Sequence, residues 1–221
     1  MVFAPGYDSD PEAYTTLLES WAAAGFLVAA PDFPGSADDL PGAPVETDIT
    51  EQALDVSFVV SSLLTGSEGP VDPGRIAVAG HSDGGDTVAV LALDPGYRDP
   101  RIRAYVSLAG QLPAGVDDPF GSSTATGDFL VMVGSDDQYG EAPLSRTVFD
   151  LATMPKALVV ITGGDHLGPF EGSSPLGDAV RAAIVRFLDL TLGGPVPVDG
   201  DRMTSVLDPP VGSDFWTVTT G

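Results

Sequence analysis

The sequence predicts an α/β fold built on a mostly parallel, six-stranded sheet that is flanked by helices. Short apolar runs alternate with longer amphipathic stretches along most of the 221 residues, which is typical of strand–helix–strand units. Most of the apolar runs are continuous, as expected for strands covered on both faces. The length and the 43% hydrophobic content suit one domain, which we place at residues 1–194, with an irregular C-terminal extension at residues 195–221.

The strands are predicted where the apolar runs are shortest and most continuous. In chain order they are Val2–Ala4, Phe26–Ala30, Ile76–Ala79, Ala104–Leu108, Phe129–Val133 and Ala157–Ile161.

The first helix is predicted directly after the first strand. Asp10 is a candidate N-cap, with Pro11 at the first helical position and Glu12 in the first turn. Gly25 is the predicted end of the helix. The apolar residues between these limits recur at i, i+3, i+4 and i+7 and form one buried stripe: Tyr14, Leu17, Leu18 and Trp21.

Further helices occupy the intervals between the later strands. Asp48 and Glu51 resemble a capping box at the start of the second helix. The remaining helices are predicted at Gly84–Leu93, Pro143–Ala152 and Pro175–Leu192. Two loops, Pro31–Thr47 and Gln111–Thr126, are predicted to form the rim of an open site, and the second is too short for a large helical lid.

Strong acidity and the absence of cysteine exclude several classes of protein and site. Acidic residues number 32 against 9 basic ones, which gives a net charge of −23. Nucleic acids and anionic membranes bind basic patches, so neither is a predicted partner. No apolar run approaches the roughly 20 residues of a membrane span, and residues 1–6 show no secretory signal, which leaves localisation open. Thiolate metal sites and cysteine nucleophiles are excluded, and we predict neither a cofactor nor a metal.

The segment Gly80-His81-Ser82-Asp83-Gly84 matches the motif G-x-S-x-G. A predicted strand precedes it and a predicted helix follows it, and in that setting the motif holds a nucleophilic serine at a sharp turn. The start of the helix would also direct N–H groups and a positive dipole end toward a developing oxyanion. With 27 glycines in the chain the motif alone can arise by chance, but its position between strand and helix favours Ser82 as a nucleophile.

A serine hydroxyl is a poor nucleophile without a base, and the chain has only two histidines. His81 adjoins Ser82 and should leave the backbone on the other side of the turn, which indicates a structural role. His166 follows the last predicted strand, where a loop residue can reach the carboxyl edge of a parallel sheet. A loop histidine is usually an ordinary surface residue, but His166 is the one base left for Ser82.

The acid that orients the histidine lies between serine and histidine along the chain in sites of this type. The loop after strand Phe129–Val133 offers both Asp136 and Asp137. We favour Asp137 and keep Asp136 as the alternative, since either carboxylate could fix the imidazole tautomer. The other aspartate would then be a solvated turn residue.

Two backbone N–H groups are the expected oxyanion donors. One belongs to Asp83, the residue after the nucleophile. The other is predicted at Tyr7, in the loop after the first strand, where its ring could also line the acyl pocket. The plainer interpretation of Tyr7 is a turn residue that packs on its neighbours.

Three segments together resemble the α/β-hydrolase superfamily: residues 2–7 (VFAPGY), residues 21–28 (WAAAGFLV) and residues 80–85 (GHSDGG). Within that superfamily the chain resembles dienelactone-hydrolase-like esterases and bacterial cutinase-like polyester hydrolases, and its first and last segments are similar to those of the polyester hydrolases. The resemblance extends over residues 1–192 and implies an α/β-hydrolase fold with a catalytic triad, a nucleophile elbow and an oxyanion hole.

The chain departs from these families in three ways. The sequence starts inside the strand that precedes the oxyanion loop, so the resemblance implies a sheet without the usual first strands and with Phe26–Ala30 as an exposed edge. Asp83 stands where the polyesterases usually carry an apolar residue. Their tryptophan after the strand equivalent to Ala104–Leu108 is missing, and the cysteine nucleophile of dienelactone hydrolases proper is absent.

These residues predict a serine esterase that cleaves neutral carboxylic esters, small or polymeric, through an acyl-enzyme intermediate. Uncharged substrates are expected over anionic ones because Asp83, Asp136 and Asp165 crowd the predicted site. Two alternatives remain open: a peptidase or amidase with the same residues, and a binding module that has lost catalysis. The sequence makes no prediction of oligomeric state.

Overall fold

A central sheet organises the computed structural model, which describes residues 1–35, 45, 48–66, 69–113, 126–139, 141–193 and 200–221. The strands follow one another across the sheet in chain order: β1 (Val2–Ala4), β2 (Ile76–His81), β3 (Ile102–Leu108), β4 (Asp128–Gly134), β5 (Lys156–Ile161) and β6 (Trp216–Thr220). Neighbours from β1 to β5 run parallel, and β6 is antiparallel to β5. The predicted α/β class with a mostly parallel, six-stranded sheet is confirmed.

Helices fill the connections between the strands. In chain order, after a 3₁₀ turn at Pro11–Tyr14, they are α1 (Thr15–Ala23), α2 (Ile49–Thr65), α3 (Asp83–Leu93), α4 (Glu141–Leu151), α5 (Gly168–Glu171), α6 (Pro175–Leu192) and α7 (Gly200–Leu207). α3 packs against β1, β2 and β3 with α2 beside it, and α4 packs against β4 and β5. α6 packs against β3 and contacts α1, α5 and α7. These contacts leave β2, β3 and β4 almost wholly buried, as their continuous apolar sequences predict.

The predicted stripe on the first helix packs under β1. Tyr14, Leu17 and Trp21 have no exposed surface, and Leu18 is half-buried. The Phe3 ring of β1 contacts the rings of Tyr14 and Trp21, with centroids 4.8 and 5.7 Å apart. Burying each such ring contributes roughly 1.5–3 kcal/mol, so this stripe fixes the loop between β1 and α1 against the sheet.

The segment Phe26–Ala30 is not a strand of the sheet, so that prediction is wrong. Only Ala29 pairs with β1, through an isolated bridge to Val2. Its carbonyl accepts from the Phe3 N–H at 2.8 Å, and its N–H donates to the Met1 carbonyl at 2.9 Å. With three residues, β1 is too short to support a longer ladder, and the segment lies along its outer edge.

The C-terminal residues, predicted to be irregular, form α7 and β6 instead. β6 takes the sixth place in the sheet, because the outer edge of β5 offers unpaired N–H and C=O groups. Trp216 begins β6 and is buried, with its indole N–H donating to the Leu207 carbonyl of α7 at 2.7 Å. Residues 194–199 lie outside the described part of the chain.

The sequence predicts where these helices begin, but the predicted side-chain caps are not formed. Neither Asp10 nor Asp48 makes a side-chain cap hydrogen bond, although a helical segment begins directly after each of them. The helix predicted at Gly84–Leu93 begins one residue earlier, at Asp83. In α6, by contrast, Ser174 accepts from the Gly177 N–H at 3.0 Å, as expected of an N-cap serine.

Most of the predicted rim loops, at 31–47 and 111–126, lie outside the described residues. No helix within the described ranges is long and apolar enough to span a membrane.

The single lysine of the sequence stabilises the end of α4. Lys156 Nζ donates to the carbonyls of Phe149, Asp150 and Ala152 at 2.7, 3.3 and 2.8 Å. It also lies over the Phe149 ring, 4.5 Å from the centroid. A cation at a helix C-terminus satisfies carbonyls that have no partner within the helix.

Candidate active site

The turn that joins β2 to α3 holds Ser82 in a strained conformation. Its φ and ψ are 55° and −121°, values that cost a residue with a Cβ about 1–3 kcal/mol. Its N–H donates to the Leu108 carbonyl and its carbonyl accepts from the Asp86 N–H, both at 2.9 Å. Strained turns of this kind persist where the surroundings fix them, and they cluster at functional sites.

Gly80 and Gly84 allow three backbone segments to meet at this turn. A Cβ on Gly80 would overlap the Gly84 carbonyl, and a Cβ on Gly84 would overlap the Ala4 carbonyl at the end of β1. On the facing loop, a Cβ on Gly6 would lie 3.3 Å from the Ser82 Cβ. The two motif glycines therefore bring the loop after β1 against Ser82.

Backbone strain is concentrated at one edge of the sheet. Among the described residues, positive φ values at non-glycine positions occur at Asp8, Ser82 and Ala109, with φ of 51°, 55° and 50°. These residues follow β1, β2 and β3, which are neighbours in the sheet. The carboxyl ends of parallel strands are where open α/β sheets bind ligands, so the strain coincides with the expected position of a site.

His166 and Asp137 are hydrogen-bonded to each other. His166 Nδ1 lies 2.7 Å from Asp137 Oδ2, and both side chains are almost fully buried. Asp137 Oδ1 accepts from the Tyr139 N–H at 3.0 Å, so both carboxylate oxygens have partners. Since a carboxylate only accepts, Nδ1 carries the proton and Nε2 keeps a lone pair that could accept one.

The structure brings Asp137 to the histidine, and it leaves Asp136 exposed. Asp136 Oδ1 accepts from the Ser135 hydroxyl at 2.9 Å. The loops after β4 and β5 approach closely at Gly134, where an added Cβ would overlap the Gly164 carbonyl. The Asp136 N–H donates to that carbonyl at 2.9 Å. This crossing places consecutive aspartates on opposite sides of the backbone.

Ser82 and His166 line one cavity of about 500 Å³, together with Tyr7 and Asp83. Tyr7 is 42% exposed, and Asp83 is the first residue of α3, so its N–H has no acceptor within the helix. No hydrogen bond joins the Ser82 hydroxyl to His166 in the described part of the chain; in unliganded sites such bonds are often long. The five predicted site residues thus lie together, with Asp137 behind His166.

His81 connects the loops around the cavity. Its Nε2–H donates to the His166 carbonyl at 2.8 Å, so its Nδ1 accepts from the Tyr14 hydroxyl at 2.9 Å. That hydroxyl accepts in turn from the Gly6 N–H at 3.2 Å. Burial, with a smaller contribution from His166, lowers the pKa of His81 to about 3, which keeps the ring neutral. These hydrogen bonds join the loops that carry Gly6 and His166. His81 also lines the cavity, with its ring centroid 4.7 Å from that of His166, so it is not set apart from the site as expected.

Sequence reasoning missed two carboxylates that line the cavity, Asp86 and Glu141. Asp86 is buried on α3 and accepts from the Gln111 N–H at 2.7 Å. Glu141 begins α4 and is 6% exposed. Of the aspartates expected to crowd the site, Asp83 lines the cavity, whereas Asp136 and Asp165 are exposed and are not among the described lining residues.

The carboxyl group of Glu141 is shielded from water. Its Oε2 is buried with no hydrogen-bond partner among the described residues. Burial, followed by the charges of Asp137 and Asp83, raises its pKa to about 7. No signal in the sequence marks Glu141, because an acidic residue in the first turn of a helix is ordinary.

A comparison of the sequence with protein-family models and with curated proteins finds no match.

Proposed function

We propose that this protein is a serine hydrolase of the α/β-hydrolase type that cleaves neutral carboxylic esters. The observation that carries the proposal is the strained Ser82 in the same cavity as His166, whose Nδ1 is hydrogen-bonded to Asp137. Each residue follows a different strand of one sheet and all three meet at its carboxyl edge. A histidine oriented by a carboxylate is the kind of base that a serine hydroxyl needs to act as a nucleophile.

In the proposed reaction the Ser82 Oγ attacks the ester carbonyl carbon and its proton passes to His166 Nε2. The developing oxyanion accepts hydrogen bonds from the N–H groups of Tyr7 and Asp83. The bond from carbon to the leaving oxygen then breaks, and His166 gives its proton to the departing alcohol. Water repeats the sequence on the acyl-enzyme and releases the carboxylic acid, with Asp137 stabilising the imidazolium in both steps.

The surroundings of the serine favour uncharged over anionic substrates. Three carboxylates line the cavity, on Asp83, Asp86 and Glu141, and among the described residues no Lys or Arg lines it. An anionic substrate would be repelled in a site where burial reduces screening.

The proposal is tested by labelling with a fluorophosphonate probe. We expect one adduct per chain, located on Ser82 by peptide mass spectrometry, because the probe reacts only with an activated serine. A folded sample with no adduct would contradict the proposal and favour a binding module. Cleavage of an amide at least as fast as its matched ester would instead favour a peptidase or amidase.

The role of Asp137 is tested against its neighbour in sequence. We expect Asp137→Asn to lower kcat for p-nitrophenyl acetate about 10³- to 10⁴-fold, because the amide no longer holds the required imidazole tautomer. Asp136→Asn removes the same charge one residue away, from an exposed side chain, and should change kcat less than about threefold. Equal losses in the two variants would show that charge, and not the contact with His166, is what matters.

A further inference from the structure

The cavity around Ser82 contains an acidic wall formed by three side chains. Asp83 and Asp86 from α3 and Glu141 from α4 line it, and among the described residues it has no Lys or Arg. Asp86 has a protein partner in the Gln111 N–H. Glu141 differs, since its Oε2 is buried without a hydrogen-bond partner in the described part of the chain.

An isolated buried carboxyl group is costly unless it is protonated or paired with a cation. The position of Glu141 at the cavity wall means that a bound molecule could supply that cation. Among the described residues no group of three His, Cys, Asp or Glu side chains is arranged to hold a metal ion.

Two aromatic rings extend the case for an organic cation. Tyr7 and Tyr139 line the same cavity and are 42% and 67% exposed. The Tyr139 ring lies edge-on to His166, with centroids 4.8 Å apart, so it stands beside the proposed base. Ring faces near carboxylates are the surroundings that alkylammonium groups prefer.

We propose that the site prefers esters carrying an ammonium group, and that Glu141 is the residue that recognises this group. The inference rests on the proposed esterase function and extends its substrate class from neutral to cationic esters. An ammonium group in the cavity would stabilise the ionised form of Glu141 through its charge, without direct contact with the buried Oε2. A carbon isostere of the same shape would not.

The test compares two acetate esters of the same shape, acetylcholine and 3,3-dimethylbutyl acetate. They differ in one atom, which is a positively charged nitrogen in the first and a neutral carbon in the second. We expect kcat/KM to be about tenfold higher or more for the cationic ester, because a charge pair in a partly buried site is weakly screened. Glu141→Gln should lower the ratio of the two kcat/KM values about three- to tenfold. A ratio of one or less in the unsubstituted protein would overturn the inference.

The matched control is Glu19→Gln, which removes one negative charge from an exposed residue of α1 that does not line the cavity. The ratio should stay unchanged in this variant. A similar fall in both variants would mean that overall charge attracts the cation and would overturn the role of Glu141.

The pH dependence gives a second measurement that needs no variant. Since Glu141 has a pKa raised to about 7, it ionises between pH 6 and 8, and the preference for the cationic ester should rise over that interval. The other titratable groups around it are Asp83 and Asp86 on α3, Asp137 and Tyr139 after β4, and His166 after β5. Both esters react with the same state of His166, so that state does not affect their ratio, and a ratio independent of pH would contradict the proposal.

Failure of the inference and failure of the proposed function give different results. Turnover of the neutral isostere reports the esterase alone, and the ratio reports ammonium recognition. If neither ester is cleaved, the esterase proposal fails, and thermal unfolding with tetramethylammonium decides the inference. Stabilisation of the unsubstituted protein but not of Glu141→Gln would support it, and equal or absent shifts would overturn it.

Discussion

Replacing Ser82 with alanine should lower kcat/KM for p-nitrophenyl acetate by about 10⁴-fold or more. In the proposed reaction the change removes the one atom that would form the covalent intermediate, and only the proposed oxyanion donors and substrate binding would remain to promote attack by water. Fold and cavity should persist, because alanine keeps the Cβ and the hydroxyl makes no hydrogen bond to His166 in the described part of the chain.

The control for this loss is Ser62→Ala on α2. Ser62 is exposed, and its hydroxyl donates only to the Phe58 carbonyl one helical turn earlier, so its removal should leave hydrolysis within about twofold. Steady-state kinetics on both variants, with circular dichroism to verify folding, completes the measurement. Retention of more than about 1% activity in Ser82→Ala would assign the chemistry to another group.

Gly84→Ala should destabilise the protein by about 3 kcal/mol or more. The added Cβ would overlap the Ala4 carbonyl and would lie 2.6 Å from the Pro5 carbonyl oxygen. Both atoms are backbone and cannot rotate away, so either α3 or the end of β1 has to move. The displaced segment carries Gly6 and Tyr7, and we therefore expect hydrolysis to fall even in the fraction that stays folded.

The matched control is Gly74→Ala. Gly74 is exposed, and the nearest atom to an added Cβ is the Asp72 Oδ1 at 3.3 Å, the end of a flexible side chain. We expect this variant to change the free energy of unfolding by less than about 0.5 kcal/mol. Urea unfolding followed by tryptophan fluorescence measures both values, and similar stabilities for the two variants would show that the approach of α3 to β1 is not tight.

The interior of the sheet could be predicted from sequence because burial on both faces leaves a direct signature. β2, β3, β4 and β5 are continuous apolar runs, and each was placed within two residues of its observed ends. The two edges lack this signature. Phe26–Ala30 is as apolar as a central strand but pairs through one residue, and β6 is rich in threonine because one of its faces is exposed.

The candidate site shows the same division between local and long-range information. Ser82 is a candidate because five consecutive residues form a motif that can be read locally, and His166 follows because only two histidines exist. The choice between Asp136 and Asp137 depends on how the loops after β4 and β5 cross, which no local pattern contains. Glu141 was missed for a related reason, since its burial results from the packing of α4 beside the cavity.

The position of Lys156 determines how this protein can be handled chemically. Reagents that acylate amines find one lysine side chain in the sequence, and its amine is held by carbonyls at the end of α4. Burial also lowers the pKa of that amine. Acylation of the amine would remove its positive charge from the end of α4. Immobilisation or cross-linking through the abundant surface carboxylates would leave that helix end intact.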